Sequence, residues 1–405
     1  MTTPDLLDIA SLLSAEERAR LDRLKEALAG LDRAELRGCW ERAEFPHHLV
    51  PVLAEAGSLG LHLDEYGTQP RASWLFRGLA AMELGRVDAS IATFCGVSSS
   101  LFGLSVRHFG SEEQRRRYLP RIVTGEESGA FGLTEPLHGS DVAGAMTTTV
   151  RREGEDWVIN GHKRWIGNAT WCDHVVVWAR EETTIAADFE DDAGRSGSGR
   201  PRTLGFIVPT SSEGFEALKI EGKYSLRTVQ NADFTLTEVR IPESGRLPGV
   251  ESFKQTSEVL KYTRLEVAWV SVGNALGALD GALDHARNRE QFGKPLAKFQ
   301  LIQDLLVRAQ AEIATALASL AHAAALAERG ELTDEQASFM KLVASGNARR
   351  AVAACREVLG GDGITLEKDV IKHFMDAEAL YTFEGTHQVN TLIVGRALTG
   401  MSAFV

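Results

Sequence analysis

Trp157-Val158-Ile159-Asn160-Gly161-His162-Lys163-Arg164-Trp165-Ile166-Gly167-Asn168 stands near the middle of the chain and decides how the rest is read. Asn160 and Gly161 both tolerate positive φ and apolar triplets flank them, so the pattern predicts a β-hairpin turning at Asn160-Gly161. Working outward, His174 to Trp178, Leu204 to Val208 and Asp233 to Ile241 also read as strands. Short strands between turn residues, from about Ala130 to Ile241, indicate a β-barrel or sandwich. Within this region Glu181 to Arg202 holds Asp188, Glu190, Asp191 and Asp192 and then a Gly/Ser run, the composition of a solvated, mobile loop.

Both flanks of the strand region read as helix. Ser14 with Glu17, and Ser111 with Gln114, have the spacing of capping boxes, and Ala89 to Val106 is small and apolar enough for a buried helix. Beyond about Ser252, Ile302, Leu306, Ala309, Ile313, Leu317, Leu320 and Ala324 recur every three or four residues, the seam of a long bundle helix. Gly273, Gly277 and Gly281 would let a second helix approach closely. The longest apolar region is taken as Val267 to Leu279, too short to cross a bilayer. No βαβ alternation occurs, and Gly360-Gly361-Asp362-Gly363 lacks the spacing of a dinucleotide fingerprint. The expected fold is mixed α and β: an N-terminal helical domain (1-129), a central β-barrel (130-244) and a C-terminal helical bundle (245-405).

The 405 residues, enough for two or three domains, carry 44 Lys plus Arg against 56 Asp plus Glu, a net charge of −12. That balance argues against nucleic-acid binding and against docking on anionic lipid. Cys39, Cys95, Cys172 and Cys355 are scattered, without a C-x-x-C pair, so neither a disulfide framework nor a metal site is expected. The acidic, helical start has no signal-peptide pattern and the last three residues are not a peroxisomal signal, so a cytoplasmic location is expected.

Four segments carry the chemistry. Ala130 to Asp141, with Thr134, Pro136 and Gly139, lies where helix gives way to strand and could offer main-chain N–H groups and hydroxyls to a planar heterocycle and a pyrophosphate; a plain strand and turn would look the same. Trp165 could lie against an aromatic ring or belong to a barrel core. Arg289, in Arg287-Asn288-Arg289-Glu290-Gln291-Phe292-Gly293, has the planar fork suited to phosphate, or is a solvated helix-end arginine. Glu384, in Tyr381-Thr382-Phe383-Glu384-Gly385-Thr386-His387-Gln388, is either an exposed loop carboxylate or a base whose pKa is raised by loss of water.

In this order, across nearly the whole chain, these segments resemble the acyl-CoA dehydrogenase family of flavoenzymes. The nearest likeness is to the branch of glutaryl-CoA dehydrogenases and short-chain acyl-CoA oxidases, through RVDAS, GSEEQRRRYLP, NGHKRWIGNAT, LRTVQN, RLPGV, QFGKPLAKFQLIQ, LGGDGI and EGTHQVNTLIVGRALTG. The resemblance implies FAD in a cleft between barrel and C-terminal helices, and a homotetramer. It places Phe131, Leu133, Thr134, Trp165 and Ile166 against the flavin and Ser140 near phosphate or the CoA chain. Arg289, Gln291, Phe292 and Gln300 would hold the FAD of an adjacent subunit, with Gly360, Gly361, Thr386 and Gln388 completing the cofactor site. Arg264 and Gly385 would lie by the thioester, and Glu384 would remove the α-proton while hydride leaves the β-carbon for flavin N5, giving a trans-2-enoyl-CoA.

Three positions depart from the family pattern. Ala92 stands where glutaryl-CoA dehydrogenases place the arginine for the distal carboxylate, which argues against a dicarboxylyl substrate. Gly167 replaces the hydroxyl residue of many dehydrogenases near flavin N5, a leaning toward oxygen reactivity, and Glu357 replaces a glutamine at an FAD contact. The expected activity is FAD-dependent dehydrogenation in fatty acid metabolism, with an electron-transferring flavoprotein as acceptor and no metal. The alternatives are an acyl-CoA oxidase releasing hydrogen peroxide and a non-catalytic member of the fold.

Overall fold

Reciprocal side-chain caps start the helices that frame the molecule. Ser14, Ser111, Ser252 and Thr333 each accept from an N–H of the first turn, while Glu17, Gln114, Gln255 and Gln336 reach back to the cap. The computed structural model describes residues 3, 5–67, 70–182, 188–190, 196–198 and 202–404. The N-terminal third is helical: α1 (Ala15–Ala29), α2 (Arg33–Arg42), α3 (Val50–Glu55), α4 (Trp74–Val87), α5 (Ala89–Cys95), a π-helical turn over Gly96–Phe102, α6 (Gly103–Phe109) and α7 (Glu112–Thr124).

A seven-stranded curled sheet follows, formed by β1 (Gly129–Gly132), β2 (Thr149–Glu153), β3 (Asp156–Ile166), β4 (His174–Glu181), β7 (Thr203–Pro209), β8 (Phe215–Lys219) and β9 (Ala232–Pro242). The short helix α8 (Val142–Ala145) leads into β2. Strand order is β1-β4-β2-β3-β9-β8, with β7 on the other edge of β4. A separate ribbon pairs β5 (Asp188–Glu190) with β6 (Ser196–Ser198) inside the segment read as a loop; the rest of that expectation falls on 183–187, 191–195 and 199–201, outside the described residues. The remaining helices are α9 (Phe253–Asn288), α10 (Gln300–Glu328), α11 (Asp334–Val358), α12 (Val370–Thr382) and α13 (His387–Thr399), with a small hairpin of β10 (Glu290–Gln291) and β11 (Lys294–Pro295) between α9 and α10.

The structure corrects the hairpin reading. The turn between β2 and β3 is at Gly154, and Asn160-Gly161 lies inside β3, at a bulge in its register with β9. Asn160 brackets the bulge by accepting from the N–H of Glu238 and donating to its carboxylate. Gly161 serves close packing rather than a turn: a Cβ there would lie 2.3 Å from the Thr148 hydroxyl. A second correction concerns apolar length. Ala89–Phe109 is a continuous helical run of 21 residues, long and apolar enough to cross a membrane, but its apolar window is 83% buried inside the protein, so it is a core helix.

The two helical regions share one core. A Cβ on Gly78 would meet the Trp269 ring at 2.2 Å, and one on Gly273 would meet the Met82 carbonyl at 2.0 Å, so α4 and α9 touch backbone to backbone as the glycine spacing implied. The bundle seam also holds, with Ala309, Ile313, Leu317, Leu320 and Ala324 buried. Asp88 caps α5 and also pairs with the buried Lys372 of α12 at 2.6 Å, locking the N-terminal helices to the helix that leads to Glu384. All four cysteines are free and buried.

Candidate active site

Glu384 sits in the tight turn between α12 and α13, where Glu384 and Gly385 both have positive φ, 55° and 81°. A β-carbon strains this region, so the turn must be held from outside. Lys341 does this from α11: its buried Nζ donates to the carbonyls of Tyr381 and Gly385 at 2.9 and 2.8 Å. The Glu384 carboxylate is aimed at α9, where Thr263 Oγ1 donates to Oε2 at 2.8 Å. Arg264, the next residue, is buried and bound to Asp334 at 2.6 Å. Burial raises the Glu384 carboxyl above its ordinary range, while the Thr263 bond, Arg264 and Lys341 pull the other way. The same burial pushes the Lys341 amine down to about 7, against the attraction of Glu384. Glu384 is therefore a partly dehydrated carboxylate of raised basicity on a strained but buttressed turn, not the exposed loop residue.

The sheet supplies the facing wall. Thr134 follows β1; its hydroxyl donates to the Arg164 carbonyl at 2.5 Å, and its carbonyl accepts from the Arg164 N–H at 2.9 Å. Trp165 comes next, with φ of 68° and a side chain 53% exposed, whereas Phe131, Leu133 and Ile166 are buried. An indole held outward on a strained backbone, with the Arg164 guanidinium 5.2 Å from its ring, is not a barrel-core tryptophan; it is an exposed aromatic surface. The support beneath is the buried Lys163, which donates to the Leu133 carbonyl and to Glu135 at 3.0 Å each. Burial raises the Glu135 carboxyl, but Lys163 and the donors of Thr147 and Thr148 outweigh it and hold it at about 2, so the pair is ionised.

A loop joins the two walls. Asn231 donates to the Trp165 carbonyl, and Lys223 donates to Asn231, Leu226 and Val229. The Leu226 N–H then donates to Asp376 of α12, and the Ser225 hydroxyl accepts from the Ala379 N–H. Trp165 is thus tied through one hydrogen-bonded chain to α12, the helix that leads to Glu384.

The other expected residues fall into a second place. Arg289, Gln291 and Phe292 lie on the hairpin at the far end of α9, all exposed, Phe292 to 92%. Gln300 opens α10 and is exposed, as are Gly360 and Gly361, whose loop reaches this end through Asp362, 3.8 Å from His285 of α9. Along α9, Thr263 and Arg289 are separated by roughly 39 Å of helix at ~1.5 Å per residue. One subunit therefore does not bring the Arg289 group to the Glu384 group. Thr386 caps α13 and, with Gly385 and Gln388, stays beside Glu384. Ser140 is exposed on the segment after β1.

Sequence reading missed Thr263, Lys341, Lys163, Lys223 and Asp376. Lys341 had a usable signal, since it shares a helical face with Ala337, Ala344 and Ala348 and is a charge on an otherwise apolar stripe.

The acyl-CoA dehydrogenase N-terminal, middle and C-terminal domain families match residues 14–126, 130–239 and 253–399. The chain is 32% identical over 360 residues to a probable acyl-CoA dehydrogenase of Bacillus subtilis, covering 88% of this chain and 91% of that one. It is 30% identical to subunit CarC of the caffeyl-CoA reductase-Etf complex of Acetobacterium woodii, with 88% and 91% covered. A glutaryl-CoA dehydrogenase of Mycobacterium smegmatis, solved in complex with FADH2, superposes with a TM-score of 0.91 at 34% identity, covering 99% of both chains.

Proposed function

The chain belongs to the acyl-CoA dehydrogenase family of FAD-dependent oxidoreductases, and from that premise we propose that Glu384 removes the α-proton of an acyl-CoA thioester while a hydride leaves the β-carbon for the bound FAD, giving a trans-2-enoyl-CoA and reduced flavin. The carrying observation is the Glu384 carboxylate bonded to Thr263 and held on a strained turn by Lys341, with burial raising its pKa. A base works best when its pKa approaches the working pH, and dehydration raises it in that direction. The Thr263 hydroxyl fixes the carboxylate and favours its ionised form, opposing the rise that burial causes. The Glu384 N–H would donate to the thioester oxygen and stabilise the charge that develops as the proton leaves.

The residues on the sheet side suit a flavin. Trp165 offers its indole, Leu133 and Ile166 supply apolar contact, and Thr134 and Ser140 bring hydroxyls. The fit is supported by Asn168, three residues after Trp165, which is fully buried with both amide atoms unpartnered among the described residues. When bound, FAD supplies the acceptor for the hydride leaving the β-carbon. Arg289, Gln291, Phe292 and Gln300 would hold the FAD of an adjacent subunit, and Gly360, Gly361, Thr386 and Gln388 would complete the site. The ~39 Å of helix between Thr263 and Arg289 and the exposure of Phe292, Leu301, Leu398 and Met401 support a homotetramer.

An electron-transferring flavoprotein is the proposed acceptor, supported by the likeness to a subunit of an Etf complex, and the proposed setting is acyl-CoA oxidation in the cytoplasm. A second reading, an acyl-CoA oxidase, is favoured by Gly167, which leaves that position without a hydroxyl. The test is an anaerobic titration with straight-chain, branched and dicarboxylyl acyl-CoAs, following the oxidised flavin band. Bleaching by at least one supports the proposal; flavin-loaded protein bleached by none overturns it. Stoichiometric peroxide in air would select the oxidase reading.

A further inference from the structure

One turn beyond Thr263 on α9 stands a second acid that the reaction above does not use. The Glu266 side chain is only 10% exposed, and its Oε2 lies 3.7 Å from Nε2 of the still more buried His62. Its Oε1 lies over Gly96, where an added Cβ would come within 3.2 Å, and the buried Ser100 hydroxyl faces it from the same π-helical turn. Among the described residues, neither Ser100 Oγ nor His62 Nδ1 has a hydrogen-bond partner. Two buried polar side chains therefore flank the Glu266 carboxylate with hydrogen-bonding capacity unused, an arrangement that costs stability unless something fills it. The place is next to the chemistry. The π-helical turn packs on the sheet through Ser98, which donates to the Gly129 carbonyl, and through Val97, 3.3 Å from where a Cβ on Gly167 would lie.

We propose that Glu266, with Ser100 and His62, is the specificity determinant of the acyl site and selects an acyl group bearing an uncharged hydrogen-bonding substituent, a hydroxyl, on the chain beyond the reacting carbons. This rests on the reading of Glu384 as the base. A hydroxyl can donate to the carboxylate and accept from Ser100, whereas an alkyl chain offers none of the three groups a partner. A distal carboxylate would meet Glu266 and Glu384 without a compensating cation at position 92, which is alanine. Burial, reinforced by the charge of Glu384 and opposed by Ser100, raises the Glu266 carboxyl to about 7, which suits a neutral partner better than a cation.

The experiment compares kcat/KM for 4-hydroxybutyryl-, 5-hydroxyvaleryl- and 6-hydroxyhexanoyl-CoA with butyryl-, valeryl- and hexanoyl-CoA, using FAD-loaded native enzyme, Glu266→Leu and Glu266→Gln. For the best-fitting length, the native enzyme should favour the hydroxyacyl substrate by about tenfold or more. Glu266→Leu should bring that ratio to about one or invert it, and Glu266→Gln, which keeps a hydrogen-bonding group, should retain most of it. The visible flavin spectrum shows that each variant is folded, and if the leucine variant does not load, the glutamine variant with Ser100→Ala carries the comparison. A native preference for alkyl chains at every length, or a ratio unmoved by the substitutions, overturns the proposal. Failure of the native enzyme to act on any of the six thioesters, and on the wider panel above, would instead refute the assignment of Glu384.

Discussion

Replacing Thr263 by valine keeps the shape of the side chain and removes one hydrogen bond, the 2.8 Å contact from Oγ1 to the Glu384 carboxylate. A hydrogen bond to a charged group contributes about 1.5–3 kcal/mol, and one pKa unit corresponds to about 1.4 kcal/mol. The bond favours the ionised carboxylate, so its loss raises the Glu384 pKa further by the free energy of that bond, adding to the rise that burial already causes. Only the ionised form takes a proton, so the rate is lost as pH falls through this pKa. At the pH where the native enzyme runs at half its plateau, the variant should therefore run about 5–50-fold slower, while the two plateaus at higher pH stay comparable. Anaerobic stopped-flow bleaching of the flavin across pH reads both quantities. An inflection that stays in place, or moves to lower pH, refutes the role given to Thr263.

Three further perturbations test the supporting structure. Lys163→Met leaves Glu135 buried with its Thr147 and Thr148 donors but no countercharge, so chemical denaturation should report a loss of about 3–5 kcal/mol and equilibrium dialysis a weaker hold on FAD. Lys341→Met removes both bonds that pin the Glu384 turn; FAD should remain bound while bleaching slows about 10–100-fold, the effect of a misplaced base. Asp376 is fully buried, and burial, opposed by Lys372 and reinforced by Asp88, raises its carboxyl from 3.8 to about 7. Because the native state holds this proton more tightly than the unfolded chain, the acid destabilises the fold progressively as pH rises from about 4 to 7. Asp376→Asn should therefore match the native Tm near pH 4 and exceed it increasingly up to about pH 7, as scanning calorimetry would show.

Local signals carried much of the architecture. Serine caps with glutamate or glutamine three residues on marked helix starts at Ser14 and Ser111, and the strands at 174–178, 204–208 and 233–241 lie inside β4, β7 and β9. Asn160-Gly161 misled because the same pair of residues serves a turn and a bulge, and long-range pairing with β9 and the packing of Thr148 decided between them. The site was legible where chemistry and backbone strain coincide, at Glu384-Gly385 and Trp165. Its supports were not, because Thr263 and Lys341 act on residues far along the chain through a single carboxylate or main-chain carbonyls, Lys223 pins only its own loop, and the neighbourhoods of all three look like ordinary helix or loop. Glu266 was hidden for the same reason: one acid in α9 reads as a solvated position until His62, Gly96 and Ser100 are folded around it.

The most direct check on the whole account is anaerobic bleaching of the flavin in Glu384→Gln by whichever acyl-CoA bleaches the native enzyme fastest. Glutamine preserves the turn and can still accept from Thr263 but cannot remove a proton, so FAD and acyl-CoA should bind as before while bleaching falls by about 10⁴-fold, the upper range for loss of a catalytic base. Bleaching at the native rate would contradict the assignment of Glu384 and with it the reaction built around that carboxylate.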